Sequence, residues 1–383
     1  MIYAIPYILL IIYYGVLAVC YHQTNDERRC FHIKVGCIAM FIFFFGFRGF
    51  IFYDWTNYYQ QFKALPDFTT LFTMKRWEWE PGFMLLAVGC KTIVPDYQFF
   101  VFICCVINTI LMTRFFNKYT DNLPLAFVMF LSFNGIVLST DLMRNSLSIL
   151  LFVNSLVYLQ RRKPLPFFAI NLLGFTFHST ALVFMVMYFF LHRKYNKWIL
   201  LAIFVTANAF YLMHIPLLKT MIGLIADVVM PSTKYWLDQY TKMDTVDGFG
   251  LSIGYLERLI TFVLMFCYID KLRKMRSESN IFINSVFLYL VLFLMLSEFR
   301  TVSTRVSGLF CFGYWIIWID FIKCFAMRNN RLLFLAFVGI YCILKTYGSC
   351  NYALADYENT LFDTKSFSER YIFFRQHFND NKK

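Results

Sequence analysis

The sequence predicts an all-α fold, a polytopic helical bundle embedded in a membrane, and three observations carry that prediction. Of the 383 residues, 59% are hydrophobic and only 15% charged, whereas a soluble domain is roughly 45–50% apolar and about 25% charged. Apolar runs close to the ~20 residues that cross a bilayer as a helix recur along the whole chain. Basic residues collect in alternate loops between those runs, the bias of a multi-pass protein. The same numbers exclude disorder, which needs low hydrophobicity.

The first run, 2–21, lacks a basic leader and a small-residue cleavage site, so it reads as a retained helix and not a signal peptide. A second span is expected at 35–53. Residues 81–95 are too short to cross and carry Lys91 and Pro95; they are expected to re-enter and return to the outer face. Spans follow at 99–116, 122–139 and 142–160. Residues 165–191 are too long for one comfortable span and hold Asn171, Gly174 and His178 in the middle, which predicts a kinked hairpin. The remaining spans are 198–215, 250–269, 281–298, 304–323 and 331–348. The expectation is about 10–12 crossings, or 12 when the hairpin counts twice, with both termini outside.

On that layout the inner loops hold 18 of the 36 Lys and Arg but six of the 23 Asp and Glu. The formal net charge of +13 is therefore a positive-inside bias, and nucleic acid is not expected as a partner. The tail residues Lys365, Arg370, Arg375, Lys382 and Lys383 fit least well. Most of the 11 cysteines sit inside apolar runs without zinc-type CxxC spacing, so neither a metal site nor a disulfide framework is expected. The chain reads as a single transmembrane domain, 1–349, with outer loops 54–79 and 216–250 and a short C-terminal tail, 350–383. Leu217, Leu218, Met221, Leu224 and Ile225 recur at helical spacing, which predicts an amphipathic helix over 217–240 resting on the outer surface. Trp55, Trp77, Trp79 and Trp236 read as an interfacial belt.

A charge in or at the edge of the hydrocarbon costs at least ~2.5 kcal/mol on insertion scales, so each one is a functional candidate. They gather on the outer side: Arg48 near the outer end of the second span with Asp54 six residues later, Glu80 opening the re-entrant segment, Asp141 and Arg144 at the start of the 142–160 span, His178 at the turn of the hairpin, and Glu298, Arg300 and Arg305 around the junction of the 281–298 and 304–323 spans. Asp141 and Arg144, three apart, read equally well as a local ion pair. Several arginines on one face suit bidentate recognition of phosphate, as in a lipid-linked diphosphate. A nearby carboxylate or His suits general-base activation of a sugar hydroxyl. An anion transporter would gather arginines in the same way.

At these residues the sequence resembles the EpsG family of bacterial exopolysaccharide proteins, related in role to Wzy-type polymerases. The resemblance is carried, in order, by Arg48 with Asp54 and Tyr58, by Glu80-Pro81-Gly82-Phe83, by Arg144-Asn145, by Phe177-His178-Ser179-Thr180-Ala181-Leu182, and by Arg300 to Arg305. It departs at Asn145, where relatives often carry Gln, and at Tyr53-Asp54-Trp55, where they carry Gly-x-Asp-Tyr. The resemblance implies a glycosyltransferase-type polymerase that needs no cofactor. It would join undecaprenyl-diphosphate-linked oligosaccharide repeat units into exopolysaccharide, capsule or O-antigen-like polymer on the outer face of the bacterial cytoplasmic (inner) membrane. It implies Arg48, Arg144, Arg300 and Arg305 as diphosphate-binding residues, Glu80, His178 and Asp54 as catalytic ones, and membrane lipid, a chain-length regulator and a flippase as partners. The alternatives are a lipid-linked oligosaccharide flippase, a polysaccharide ligase and a membrane O-acyltransferase.

Overall fold

A computed structural model describes residues 2–66, 68–71, 78–215, 220, 252–362 and 364–378. Nearly all of the expected surface helix over 217–240, with Trp236, lies outside the described residues, as does Trp77. Among the described residues the backbone is helical except for turns and one isolated antiparallel bridge between Arg48 and Asn359.

In chain order the helices are α1 (Ile5–Gln23), α2 (Glu27–Phe41, continued by a π-turn at Ile42–Gly46), α3 (Trp55–Ala64), α4 (Phe68–Leu71), α5 (Pro81–Ile93), α6 (Tyr97–Tyr119), α7 (Leu123–Phe130), α8 (Ile136–Thr140), α9 (Met143–Gln160), α10 (Pro164–Phe175), α11 (Ala181–Val186), α12 (Lys197–Leu212), α13 (Ile253–Arg273), α14 (Ser279–Met295), α15 (Arg300–Gly308), α16 (Phe312–Cys324), α17 (Arg328–Cys350) and α18 (Phe367–His377).

Five of these stretches are long and apolar enough to cross a membrane: α1, α2 with its π-turn, α6, the interrupted pair α7–α8, and α17. The pair α15–α16, bent by 66°, makes a sixth. The chain is thus an all-helical, multi-pass membrane protein. Of the two irregular segments, the first is short and the second is broken. Helix α5 has 13 residues, about 20 Å at 1.5 Å per residue, well short of a bilayer core. Residues 165–191 fold into α10, a turn, and α11 packed back on it.

The second span differs from its expected bounds. It starts at Glu27, where the Asp26 carboxylate caps the Arg28 amide, and leaves the helix after Gly46. The reason lies in the residues beyond. Phe52 takes φ 65°, a left-handed value costly for a bulky residue, and the peptide groups of 47–52 bond to other chain segments in place of a helix.

The described chain clusters into two compact units, one of Met1–Tyr188 with Ala326–Lys383 and one of Phe189–Phe325. In the first, polar side chains tie the spans together where lipid offers no hydrophobic drive. The Asn108 amide donates to Ser146 Oγ at 2.9 Å, the Asn154 amide to the Leu111 carbonyl at 2.9 Å, and the Asn171 amide to Ser155 Oγ at 3.0 Å. Phe152 stacks on Phe184 at 4.2 Å, holding the hairpin against α9. In the second unit, Phe204 stacks on Phe262 at 3.7 Å. Arg276 grips Asp320 through both Nη atoms at 2.6 and 2.7 Å.

The tail is a built part of the first unit. The Gly49 amide donates to the Glu358 carbonyl and the Phe52 amide to the Leu354 carbonyl, both at 2.8 Å, and the Thr360 amide to the Phe47 carbonyl at 2.7 Å. A Cβ at Gly49 would run into Glu358, so this approach needs glycine. Arg370, only 2% exposed, locks the pairing. Its Nε donates to the Phe50 carbonyl at 2.7 Å and its Nη2 to the Asp356 carbonyl at 2.8 Å. Its Nη1 meets the carboxylates of Asp356 at 3.2 Å and Glu358 at 3.4 Å. Because the tail pairs with the chain leaving α2, the C-terminal ends of α2 and α17 lie at one face.

Breaking a buried ion pair from one side costs about 3–5 kcal/mol. Arg370→Ala should therefore release the tail, read as faster tryptic cleavage at Lys365 in the purified full chain. Cleavage at the unaltered rate would contradict this bracing role.

Candidate functional site

The site grows from three chain breaks at one end of the first unit: the segment after α2, the α8–α9 junction and the α10–α11 turn. Helix C-termini leave carbonyls without intrahelical partners, and Arg48 serves two of them. Its Nη1 donates to the Phe45 carbonyl at 2.8 Å and its Nη2 to the Thr140 carbonyl at 3.2 Å. The cation is 5% exposed and sits where helix dipoles favour positive charge. Arg48 therefore clamps the ends of α2 and α8 together.

Asp141 follows in the break between α8 and α9. Its Oδ1 accepts the amides of Tyr53 at 3.0 Å and Asp54 at 3.1 Å. The expected alternative, a local ion pair with Arg144, does not form: α8 ends at Thr140 and α9 starts at Met143, so the two side chains do not share a helix turn. Burial, then the neighbouring Asp54 carboxylate, push Asp141 up to about 7, against the pull of the two amides and Arg48. Asp54 itself precedes α3, and its carbonyl accepts the amides of Asn57 and Tyr58.

Arg144, in the first turn of α9, pairs with Glu80 at 2.7 Å. Its Nε donates to the Tyr58 hydroxyl at 3.5 Å. The side chains of Arg144 and Glu80 are 29% and 23% exposed, so this pair, unlike Arg48, is open to a ligand. Burial raises Tyr58 to about 12 against the pull of Arg144, keeping it a phenol at neutral pH. Tyr58 packs among Trp79, Phe83 and Trp55 in one aromatic cluster. Trp55 and Trp79 are thus core residues, 5% and 4% exposed, and not belt residues. The Trp79 ring fills the space between α3, α5 and α6, and the Trp55 ring packs against Phe50 and α18.

The Glu80-Pro81-Gly82-Phe83 segment is fixed to the hairpin turn. The amides of Gly82 and Phe83 donate to the Thr176 carbonyl at 2.7 and 3.3 Å. A Cβ at Gly82 would collide with the Thr176 side chain, which explains glycine there. Two residues on, the Thr180 amide donates to His178 Nδ1 at 3.2 Å, and Thr180 Oγ1 donates to Asn145 Oδ1 at 2.8 Å. With Nδ1 an acceptor, the neutral ring carries its proton on Nε2. A polar chain thus runs from Glu80 through Arg144 and its neighbour Asn145 to Thr180 and His178.

Arg300 and Arg305 belong to the second unit, at the start and in the last turn of α15; Arg305 is exposed. That unit also holds two adjacent charges that the sequence reading passed over. Glu257, 2% exposed, accepts the Thr261 hydroxyl at 2.8 Å. Arg258 donates to the Gly254 carbonyl at 2.7 Å and the Tyr289 hydroxyl at 3.0 Å, and lies 3.5 Å over the Phe293 ring. Two adjacent charges inside the 250–269 apolar run were the signal. Among the described residues no group of His, Cys, Asp and Glu is arranged to hold a metal ion.

A model of the EpsG family matches residues 33–359. No curated protein and no solved structure matches the chain.

Overpacking a tight contact costs about 1–3 kcal/mol. Gly82→Ala should lower the thermal midpoint of the detergent-solubilised chain, and adding Thr176→Gly should recover part of the loss. A Gly82→Ala midpoint equal to the parent would show that α5 does not seat on the hairpin as described.

Proposed function

We propose that this chain, which belongs to the EpsG family, polymerises undecaprenyl-diphosphate-linked oligosaccharide repeat units into exopolysaccharide, capsule or O-antigen-like polymer. It is a polysaccharide polymerase-like membrane protein, and the finer reading adds the donor, the face and the residues. The growing glycan passes from its lipid diphosphate to a terminal hydroxyl of a new lipid-linked unit, and undecaprenyl diphosphate leaves. The site works on the outer face of the bacterial cytoplasmic membrane, supported by the count of basic loops on the opposite side. A flippase delivers the units and a chain-length regulator sets when transfer stops.

The observation that carries the reading is Arg144: a partly exposed guanidinium beside the non-helical turns of the first unit. A guanidinium offers paired donors to a phosphate and stabilises the charge that builds on the leaving diphosphate. Glu80 and the Tyr58 hydroxyl hold its orientation. His178 supports it with Nε2–H, a donor to a phosphate or sugar oxygen. Asp54 orients the acceptor sugar. Arg48, spent on two carbonyls, positions the loop and does not hold phosphate directly. Arg300 and Arg305, in the second unit, are proposed by themselves as diphosphate-binding residues. A single displacement inverts the anomeric carbon.

The test uses a host deleted for this gene and complemented with parent or Arg144→Ala. Lipid-linked glycans are sized by gel and mass spectrometry. The expected result is single units on undecaprenyl diphosphate at the outer face, with polymer down at least about 100-fold, the scale of a lost transition-state contact. Units held on the inner face would indicate a flippase. Full-length polymer that lacks acetyl groups would indicate an acyltransferase, and polymer not joined to its final carrier a ligase. Normal polymer in Arg144→Ala would overturn its phosphate role.

A further inference from the structure

We infer that Asp141 is the general base of the transfer, taking the proton of the acceptor sugar hydroxyl on its Oδ2. The inference rests on the polymerase reading above and assigns a step that reading leaves open. Glu80 and His178, the two bases the sequence suggests, have prior commitments. Protonating Glu80 would break its 2.7 Å ion pair with Arg144. His178 Nδ1 already accepts the Thr180 amide.

Asp141 has the geometry a base requires. Two backbone amides fix Oδ1 and so set the direction of the carboxylate without neutralising it. Among the described residues Oδ2 accepts no hydrogen bond. The residue sits in the α8–α9 break, one position after the carbonyl that Arg48 clamps, and Arg144 follows in the first turn of α9. The charged and titratable groups facing it are Arg48, Asp54, Tyr53 and, from the tail, Tyr352. Together with burial they place its proton affinity near neutral, where a general base works best.

In the step, a lone pair of the acceptor oxygen forms the new glycosidic bond to the donor's anomeric carbon, and the O–H pair stays on that oxygen as its proton leaves. The anomeric carbon–oxygen bond to the diphosphate breaks, and its electron pair leaves with undecaprenyl diphosphate. The proton goes to Asp141 Oδ2 and then to water.

The test uses the full chain in lipid nanodiscs with a synthetic undecaprenyl-diphosphate-linked oligosaccharide, following chain growth from pH 5 to 9. Because the base must be ionised, the parent rate should fall as pH drops through about 7, where an ordinary carboxylate would place that limb near about 4. Asp141→Asn keeps an oxygen for the two amides but cannot take the proton. It should lose about 10²–10⁴-fold in rate, bind the lipid-linked unit within about threefold of the parent, and lack the acid limb. Asp141→Glu, which keeps a carboxylate, should retain part of the rate and the limb, and it serves if Asp141→Asn does not fold. Asp141→Asn at the parent rate, or a parent profile flat from pH 5 to 8, would overturn the assignment while leaving the polymerase reading intact. A parent chain that makes no polymer from these units would overturn both.

Discussion

The constraint on which this site depends is the backbone of residues 47–54. The second span ends at Gly46 and the chain leaves the helix at the edge of the hydrocarbon, where each unpaired peptide group costs several kcal/mol. Every partner it finds becomes part of the site. The tail accepts the Gly49 and Phe52 amides, Arg370 donates to the Phe50 carbonyl, and Asp141 accepts the Tyr53 and Asp54 amides. Satisfying this segment thus orients a carboxylate, seats Asp54 at the head of α3, and brings α18 onto the chain that leaves α2.

Two arginines with similar sequence settings do different work because of burial. Arg48 is sealed and spends its donors on the Phe45 and Thr140 carbonyls, joining two helix ends. Arg144 is partly exposed and held by a carboxylate and a phenol, which leaves it able to exchange part of that pairing for a phosphate. The Glu80-Pro81-Gly82-Phe83 segment links the two halves of the site: proline starts α5 at its first turn, and glycine lets that turn touch the carbonyl of Thr176, next to the His178 turn.

The helical class, the short α5 and the broken hairpin were legible in the sequence because hydrocarbon imposes length and apolarity directly. The candidate residues Arg48, Asp54, Glu80, Arg144 and His178 were legible for the same reason, since charge near lipid stands out. Their partners were not. The Asp141–Arg144 spacing fits one helix turn, and only the backbone break at 141–142 separates them. Trp55 and Trp79 suit a membrane interface as well as a core, and composition does not distinguish the two. Arg370 sits more than 300 residues from the Phe50 carbonyl it holds, a pairing that no local pattern encodes. Glu257 and Arg258 stood in plain view inside an apolar run, and it is the Tyr289 and Phe293 contacts that give Arg258 its place in the core.

The most direct measurement of the central claim is made with the purified chain alone in proteoliposomes, supplied with one lipid-linked oligosaccharide. The account predicts a ladder of products spaced by one repeat unit, each added unit releasing one undecaprenyl diphosphate. Units that cross the bilayer unchanged, with no ladder and no released diphosphate, would contradict it.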